Sequence, residues 1–224
     1  MKIYTISDLH LSFGTDKPMN IFGKKWDHYE EKIEQNWRSK VKEEDVVILA
    51  GDFSWAMYLD EAIQDFAYLD RLPGKKIMLK GNHDYWWETL SKLNQFVEAN
   101  GFHNIHFLYN NFYDVGDFVI CGAKYWQYEE GQDNDKIFNR ELQRAKLSLE
   151  AAKNAVPDKP VIMVTHYPPD EKLINLAREY NVKKWIYGHI HSNYENSLVE
   201  IEGIETYLTS CDYLDFDLIA LNVE

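Results

Sequence analysis

A chain of 224 residues is long enough to bury a sizeable core, and no Pro- or Ser-rich linker divides it, so residues 1–224 are expected to form a single domain. With 37 Asp and Glu against 24 Lys and Arg, the net charge of -13 disfavours sequence-independent binding to long nucleic acid, which rests on neutralising phosphates with cations. No stretch approaches the roughly 18 apolar residues of a membrane span, and the amino terminus lacks a basic segment followed by an apolar one, so a soluble, cytoplasmic protein is expected.

Ile3-Tyr4-Thr5-Ile6 opens the chain as a buried strand and delivers Asp8 and His10. Residues 11–27, with Gly14, Pro18 and Gly23, form a loop longer than a plain strand-to-helix connection needs, and long loops are often functional. Asp27 is placed to cap the next helix, which carries Ile33, Trp37 and Val41 on one side. A strand over 45–50 runs into Gly51 and Asp52. Leu59, Ile63, Phe66, Ala67 and Leu69 read as a second amphipathic helix, stopped by Pro73-Gly74. The run Lys76-Ile77-Met78-Leu79 then leads into Gly81-Asn82-His83-Asp84, and a third helix over about 87–99 leaves through Asn100-Gly101.

Residues 105–122 read as short strands with turns at Asn110-Asn111 and Gly116-Asp117, where antiparallel pairing is expected to interrupt the parallel pattern and make the sheets mixed. A polar segment, 127–135, contains Gly131. Beyond it Phe138, Leu142, Ala145, Leu149 and Ala152 mark one stripe of a helix lying on a sheet face. Val161-Ile162-Met163-Val164 delivers His166, a helix near 170–180 follows, and Trp185-Ile186-Tyr187-Gly188 delivers His189 and His191. Runs at 195–201, 204–209 and 216–221 read as antiparallel strands. Cys121 and Cys211, without Cys-x-x-Cys spacing, are read as buried structural thiols.

Five apolar runs thus end on polar residues, and in open α/β sheets the loops beyond the carboxyl ends of the strands form the usual site. Asp8, His10, Asp52, Asn82, His166, His189 and His191 make seven oxygen and nitrogen donors without a thiolate, a set that suits manganese, iron, zinc or nickel. Seven ligands exceed what one ion needs. They suit two ions ~3.5–4 Å apart with one bridging carboxylate.

The blocks Asp8-x-His10, Gly51-Asp52, Gly81-Asn82-His83-Asp84, His166 and Gly188-His189-x-His191 resemble, in order, the signature of the calcineurin-like metallophosphoesterase superfamily, in the manner of its uncharacterised bacterial predicted phosphohydrolases. The resemblance spans positions 8 to 191 and implies an α/β fold, a two-sheet mixed β sandwich flanked by helices. It implies Asp8, His10 and His191 around one transition-metal ion (manganese, iron or zinc), Asn82, His166 and His189 around a second, and Asp52 between them. It further implies hydrolysis by a hydroxide generated at the two ions, with His83 stabilising the transition state or protonating the leaving group. Asp84 is grouped with His83 in the catalytic block, as support for its loop.

Trp55 and Trp86, close in sequence to Asp52 and Asn82, are expected to wall the cleft and stack on a planar group of the substrate, whereas Trp87 is assigned to the core. Lys24, Lys25 and Arg38 are candidate phosphate contacts on an otherwise solvated face, Tyr125 and Trp126 are weaker ones, and His28, His103 and His106 receive no role. Leu11, the run Gly51-Asp52-Phe53-Ser54-Trp55, and Asp84 depart from the phosphoprotein phosphatase pattern, and His83 stands where UDP-diacylglucosamine hydrolases usually carry Arg. The expected substrate is a small phosphodiester or phosphomonoester, nucleotide-type esters included, with no stable nucleic-acid partner and no membrane. The alternatives are a non-catalytic scaffold of the same fold, like the retromer subunit, and a nuclease.

Overall fold

The strand-forming runs are apolar almost without interruption because both of their faces are covered. A computed structural model of the chain describes residues 1–126 and 135–222. In chain order the strands are β1 (Ile3–Ile6), β2 (Val46–Leu49), β3 (Lys75–Met78), β4 (Ile105–Phe107), β5 (Phe112–Asp114), β6 (Val119–Ala123), β7 (Val161–Thr165), β8 (Val182–Tyr187), β9 (Glu205–Leu208) and β10 (Ile219–Leu221). They form two mixed five-stranded sheets, ordered β10-β1-β2-β3-β4 and β5-β6-β7-β8-β9. Pairing is parallel except where β10 meets β1 and β5 meets β6.

Alternation within each strand sorts the core into three layers. Val46 and Ile48 of β2 face inward onto Ile120, Ile162, Val164 and Ile186 of the second sheet, while Val47 and Leu49 face the helices outside. That outer layer is built by α1 (Tyr29–Lys40), α2 (Ile63–Asp70) and α3 (Leu90–Asn100), with Ile33, Trp37, Phe66 and Leu93 buried. On the other side α4 (Asp135–Ala155) and α5 (Glu171–Ala177) cover the second sheet, and the stripe Phe138, Ala145, Leu149 and Ala152 is buried there with Leu142 packed beside it. Cys121 and Cys211 are buried free thiols. Among the described residues no helix is long and apolar enough to cross a membrane.

Several local expectations are corrected. Asp27 does not cap α1: it closes a 3₁₀ turn over Lys24–Trp26, and His28, at φ 55° in the left-handed region, takes the cap position without a side-chain bond. Helix α2 begins at Ile63 and leaves Leu59 in the preceding turn. Helix α3 begins at Leu90, where Thr89 caps it by accepting from the Lys92 N–H. The tail is not uniformly antiparallel. Tyr194–Ser197 forms a short helix α6, and β9 runs parallel to β8 because the 17-residue crossover between them returns the chain to the same end of the sheet. The polar segment around Gly131 lies outside the described residues.

Candidate metal centre

All five ligand-bearing strands end at one edge of the sandwich, β1 to β3 in the first sheet and β7 and β8 in the second. Directly after its strand each chain turns sharply. Asp8, His10, Asp52 and His189 all have positive φ (57°, 46°, 53° and 72°), a region costly for residues with a Cβ and tolerated where the surroundings enforce it. Glycines make the close approach possible. Gly51 sits at φ 100°, and a Cβ there would lie 2.6 Å from His166 Nδ1, while a Cβ on Gly81 would collide with the Asp52 carboxylate.

The turns bring the expected ligands together in two groups, Asp8 with His10 and His191, and Asp52 with His166 and His189, each with donor atoms within 4.8 Å of one another. Asn82 Oδ1 lies 2.6 Å from His166 Nε2 and 2.9 Å from His189 Nδ1, so it belongs with the second group. Asp52 Oδ2 is 3.4 Å from His166 Nε2 and 3.9 Å from His10 Nε2, between the two groups.

Donor chemistry tests whether these atoms fit cations. His166 Nδ1 lies 2.9 Å from the Ala50 carbonyl and His191 Nδ1 2.9 Å from Asp212 Oδ1, so both Nδ1 atoms carry protons and donate. Nε2 of each ring then points at other acceptors: His166 toward Asn82 and Asp52, and His191 toward His10 Nε2 at 3.4 Å and Asp8 at 3.5 Å. Acceptors converging in this way need positive charge between them, which protons on the two rings supply without metal and bound cations would supply in their place.

The electrostatics agree. Burial pushes His166 down, but the Asp52 carboxylate outweighs it and raises the pKa to about 9. Burial likewise opposes the bonds to Asp212 and Asp8 that raise His191 to about 10. Against the same burial, His191 and His166 hold Asp8 far below the usual carboxylate range and Asp52 at about 2. Burial lowers His10 and His189 to about 4, so they stay neutral, as ligands must.

Asp212 belongs to this cluster, and sequence reasoning missed it. It is buried, orients His191, accepts from the Tyr194 hydroxyl at 2.6 Å, and follows β9 at the same edge. The strand-end rule that found the ligands points to it as well.

His83 is half-buried at the wall of the centre. Its backbone N–H donates to Asp52 Oδ1 at 2.7 Å, its ring lies 4.5 Å from that of Trp55, and burial lowers its pKa. Asp84 is placed differently from the catalytic group it was read with. Its fully buried carboxylate accepts from the N–H groups of Gly81 (2.6 Å), Asp52 (2.9 Å), Phe53 (2.9 Å) and Ser54 (3.3 Å) and from Trp86 Nε1 (3.1 Å). It ties the Gly51 and Gly81 turns together and faces no cleft. Burial nevertheless pushes its pKa up to about 6.

A cleft of about 360 Å³ opens beside His10, His83, His191 and Asp212 and is walled by Trp26 and Trp55. Trp55 stacks on His10 at 4.7 Å and 20° and reaches Met19 Sδ through its indole N–H. Trp86 does not reach the cleft. It is 1% exposed and packs edge-on against Phe53 and Phe66, which corrects the expectation of substrate stacking. Trp87 is also buried, as expected. Arg38 pairs with Glu34 (2.9 Å) on the outer face of α1, and Lys25 donates to the Asp212 carbonyl. Lys24 is exposed. Tyr125 is buried with its hydroxyl on Asp170 (2.6 Å), and Trp126 packs on Tyr167.

A family model described as calcineurin-like phosphoesterase matches residues 1–193. No functionally curated protein matches the sequence. Among solved structures, the protein TT1561 of Thermus thermophilus aligns with a TM-score of 0.60 at 12% identity, covering 99% of this chain and 98% of its own. A protein of unknown function from Aquifex aeolicus aligns at 0.55 and 20%, covering 98% and 95%. A phosphopantetheinyl hydrolase from Mycobacterium tuberculosis aligns at 0.56 and 15%, covering 100% and 96%. At these identities the three share the fold.

Proposed function

The chain belongs to the calcineurin-like phosphoesterases and is a metal-dependent phosphoester hydrolase, and on that premise we propose a dinuclear enzyme, residues 1–224 acting as one catalytic domain, that hydrolyses a small phosphodiester or phosphomonoester. The observation that carries the proposal is the position of Asp52 Oδ2, within 4 Å of a histidine from each ligand group. Asp8, His10 and His191 would hold one ion, Asn82, His166 and His189 the other, and Asp52 both. Ions held there, manganese, iron or zinc, would supply charge to the phosphoryl oxygens and lower the pKa of water.

The chain's own residues do the rest. Ala50 and Asp212 hold the His166 and His191 rings in the tautomer that presents Nε2. His83, neutral at pH 7 because burial lowers its pKa, carries a ring N–H to place against a phosphoryl oxygen or the leaving-group oxygen. Trp55 and Trp26 exclude water from the leaving-group side and offer a flat wall to a nucleobase or other ring. A small-molecule ester also accords with the phosphopantetheinyl hydrolase among its structural neighbours. The ligand set retains every member, which argues against a scaffold, and the net charge of -13 argues against a nuclease.

Elemental analysis of protein purified without chelator, with assays of bis(p-nitrophenyl) phosphate and p-nitrophenyl phosphate in added manganese, tests the reading. Close to two ions per chain and turnover of at least one ester are expected. One ion or none, with neither ester cleaved under several divalent ions, would refute it.

A further inference from the structure

A second pocket lies at the same edge of the sandwich, on the opposite side of the centre from the tryptophan cleft. It is about 280 Å³, set between the carboxyl ends of β3, β4 and β6 and the helix α4. Lys80, Lys124, Arg144, Glu141 and Trp87 line it. In a chain of net charge -13 its balance is unusual. The two acidic side chains on its wall are already paired, Glu88 with Lys92 at 3.1 Å and Glu141 with Arg144 at 2.7 Å. Among the described residues no carboxylate pairs with Lys80 or Lys124, both half-buried, and Lys124 Nζ rests 4.9 Å from the Trp126 ring. Ammonium groups partly withdrawn from bulk water cost stability; the Glu141 carboxylate offsets part of that cost for both, and an anionic ligand would offset the rest.

Two further atoms of this wall lack protein partners. Glu141 is 1% exposed, and its Oε2 is buried with no hydrogen bond. Trp87 is 8% exposed, and its indole N–H is likewise buried and unbonded. One acceptor and one donor left open in the same pocket are what a polar ligand would satisfy.

The pocket is continuous in sequence with the ligands. Lys80 stands two residues before Asn82, and the Lys124 carbonyl accepts from the His166 N–H at 3.1 Å, since β6 and β7 are neighbours about 4.8 Å apart. Resting on the hydrolase reading above, we propose that this pocket is the subsite for a second anionic group of the substrate, a carboxylate or a further phosphate accompanied by a hydroxyl or N–H, held beyond the scissile phosphorus. The anion meets Lys80, Lys124 and Arg144, the accompanying donor meets Glu141 Oε2, and Trp87 donates to an oxygen of the same group. The substrate class narrows accordingly to a phosphoester with an apolar or planar portion toward Trp26 and Trp55 and an anionic end toward α4.

The test compares phenyl p-nitrophenyl phosphate with its 4-carboxyphenyl counterpart, which differs by one carboxylate, in the metal-loaded full-length protein. The carboxylated ester should show a kcat/KM about tenfold higher, the difference lying in KM. That ratio should fall toward one in Lys80→Met and in Lys124→Met and survive in Lys146→Met, a lysine elsewhere on α4. A ratio of one in the wild type, or a ratio retained in both pocket variants, overturns the subsite. Cleavage of neither ester overturns the hydrolase reading instead. Calorimetric binding of the two esters to wild type and variants then decides the pocket, and equal affinities would reject it.

Discussion

His83 and Asp84 are neighbours with opposite fates, and the difference is a matter of which atoms are free. Asp84 meets five N–H donors, so its carboxylate organises two turns. His83 engages Asp52 through its backbone alone and leaves its ring at the cleft, with Nδ1 unpartnered among the described residues. Alanine at this position keeps the N–H that meets Asp52. His83→Ala should therefore retain its metal content by elemental analysis while kcat falls about 10²–10³-fold, the usual loss for one proton donor or one transition-state hydrogen bond. An unchanged kcat would remove the role. The gathering of the seven proposed ligands at one edge was legible in the sequence because each follows an apolar run, and parallel strands carry such positions to one edge. Trp86 was misread because the Asp84–Trp87 turn has no periodicity from which to infer a face. Lys80 and Trp87 lie between β3 and α3, Lys124 follows β6 and Glu141 is in α4, and only the packing of these three segments assembles the pocket.

At the scale of elements, the pattern that made strands legible left their direction open. Apolar alternation in 204–209 is the same whether β9 runs parallel or antiparallel, and the crossover through α6 decided it. Helix α2 was legible as a helix, but its buried Asp65 was not legible as an anchor. Asp65 accepts from the Phe13 N–H at 2.8 Å and from the Ser54 hydroxyl, and so ties the long first loop and the turn after β2 to one helix. Burial raises its pKa from 3.8 to about 6, against those two hydrogen bonds. A carboxyl with a raised folded pKa favours the native state most below its unfolded pKa. Stability is then lost as the pH rises from about 4 to about 6, by at most about 3 kcal/mol. Asparagine can accept from Phe13 and donate to Ser54 without ionising. In thermal melts with chelator, Asp65→Asn should match the wild type near pH 4 and exceed it by several degrees at pH 7. A variant less stable at every pH would show that the carboxylate itself is required.

The whole molecule is two sheets with a shared apolar layer, and at one edge the ligands draw on both: Asp8, His10, Asp52 and Asn82 from the first, His166, His189 and His191 from the second. Ions bound there would join the sheets, which would link occupancy to folding. At a free concentration about 100 times its Kd, each ion adds about 2.7 kcal/mol. For a chain of this size 1 kcal/mol moves Tm by about 2–4 °C, so chelation of two ions should lower Tm by about 10–20 °C. The size of the drop depends on pH. Without ions, protons on His166 and His191 balance Asp8 and Asp52; these pKa values are raised from 6.5 to about 9 and about 10, so the stability they contribute is complete below pH 6.5 and is lost as pH climbs through 9 and 10. Metal binding displaces those protons and strengthens as pH rises. The gap between melts with metal and with chelator should therefore widen from pH 6.5 to pH 9, and calorimetry at pH 7.5 in buffers of different ionisation enthalpy should register the release of close to two protons per chain. A gap constant with pH, or no proton release, would mean that His166 and His191 do not exchange protons for metal, and the assignment of both ions would fall with them.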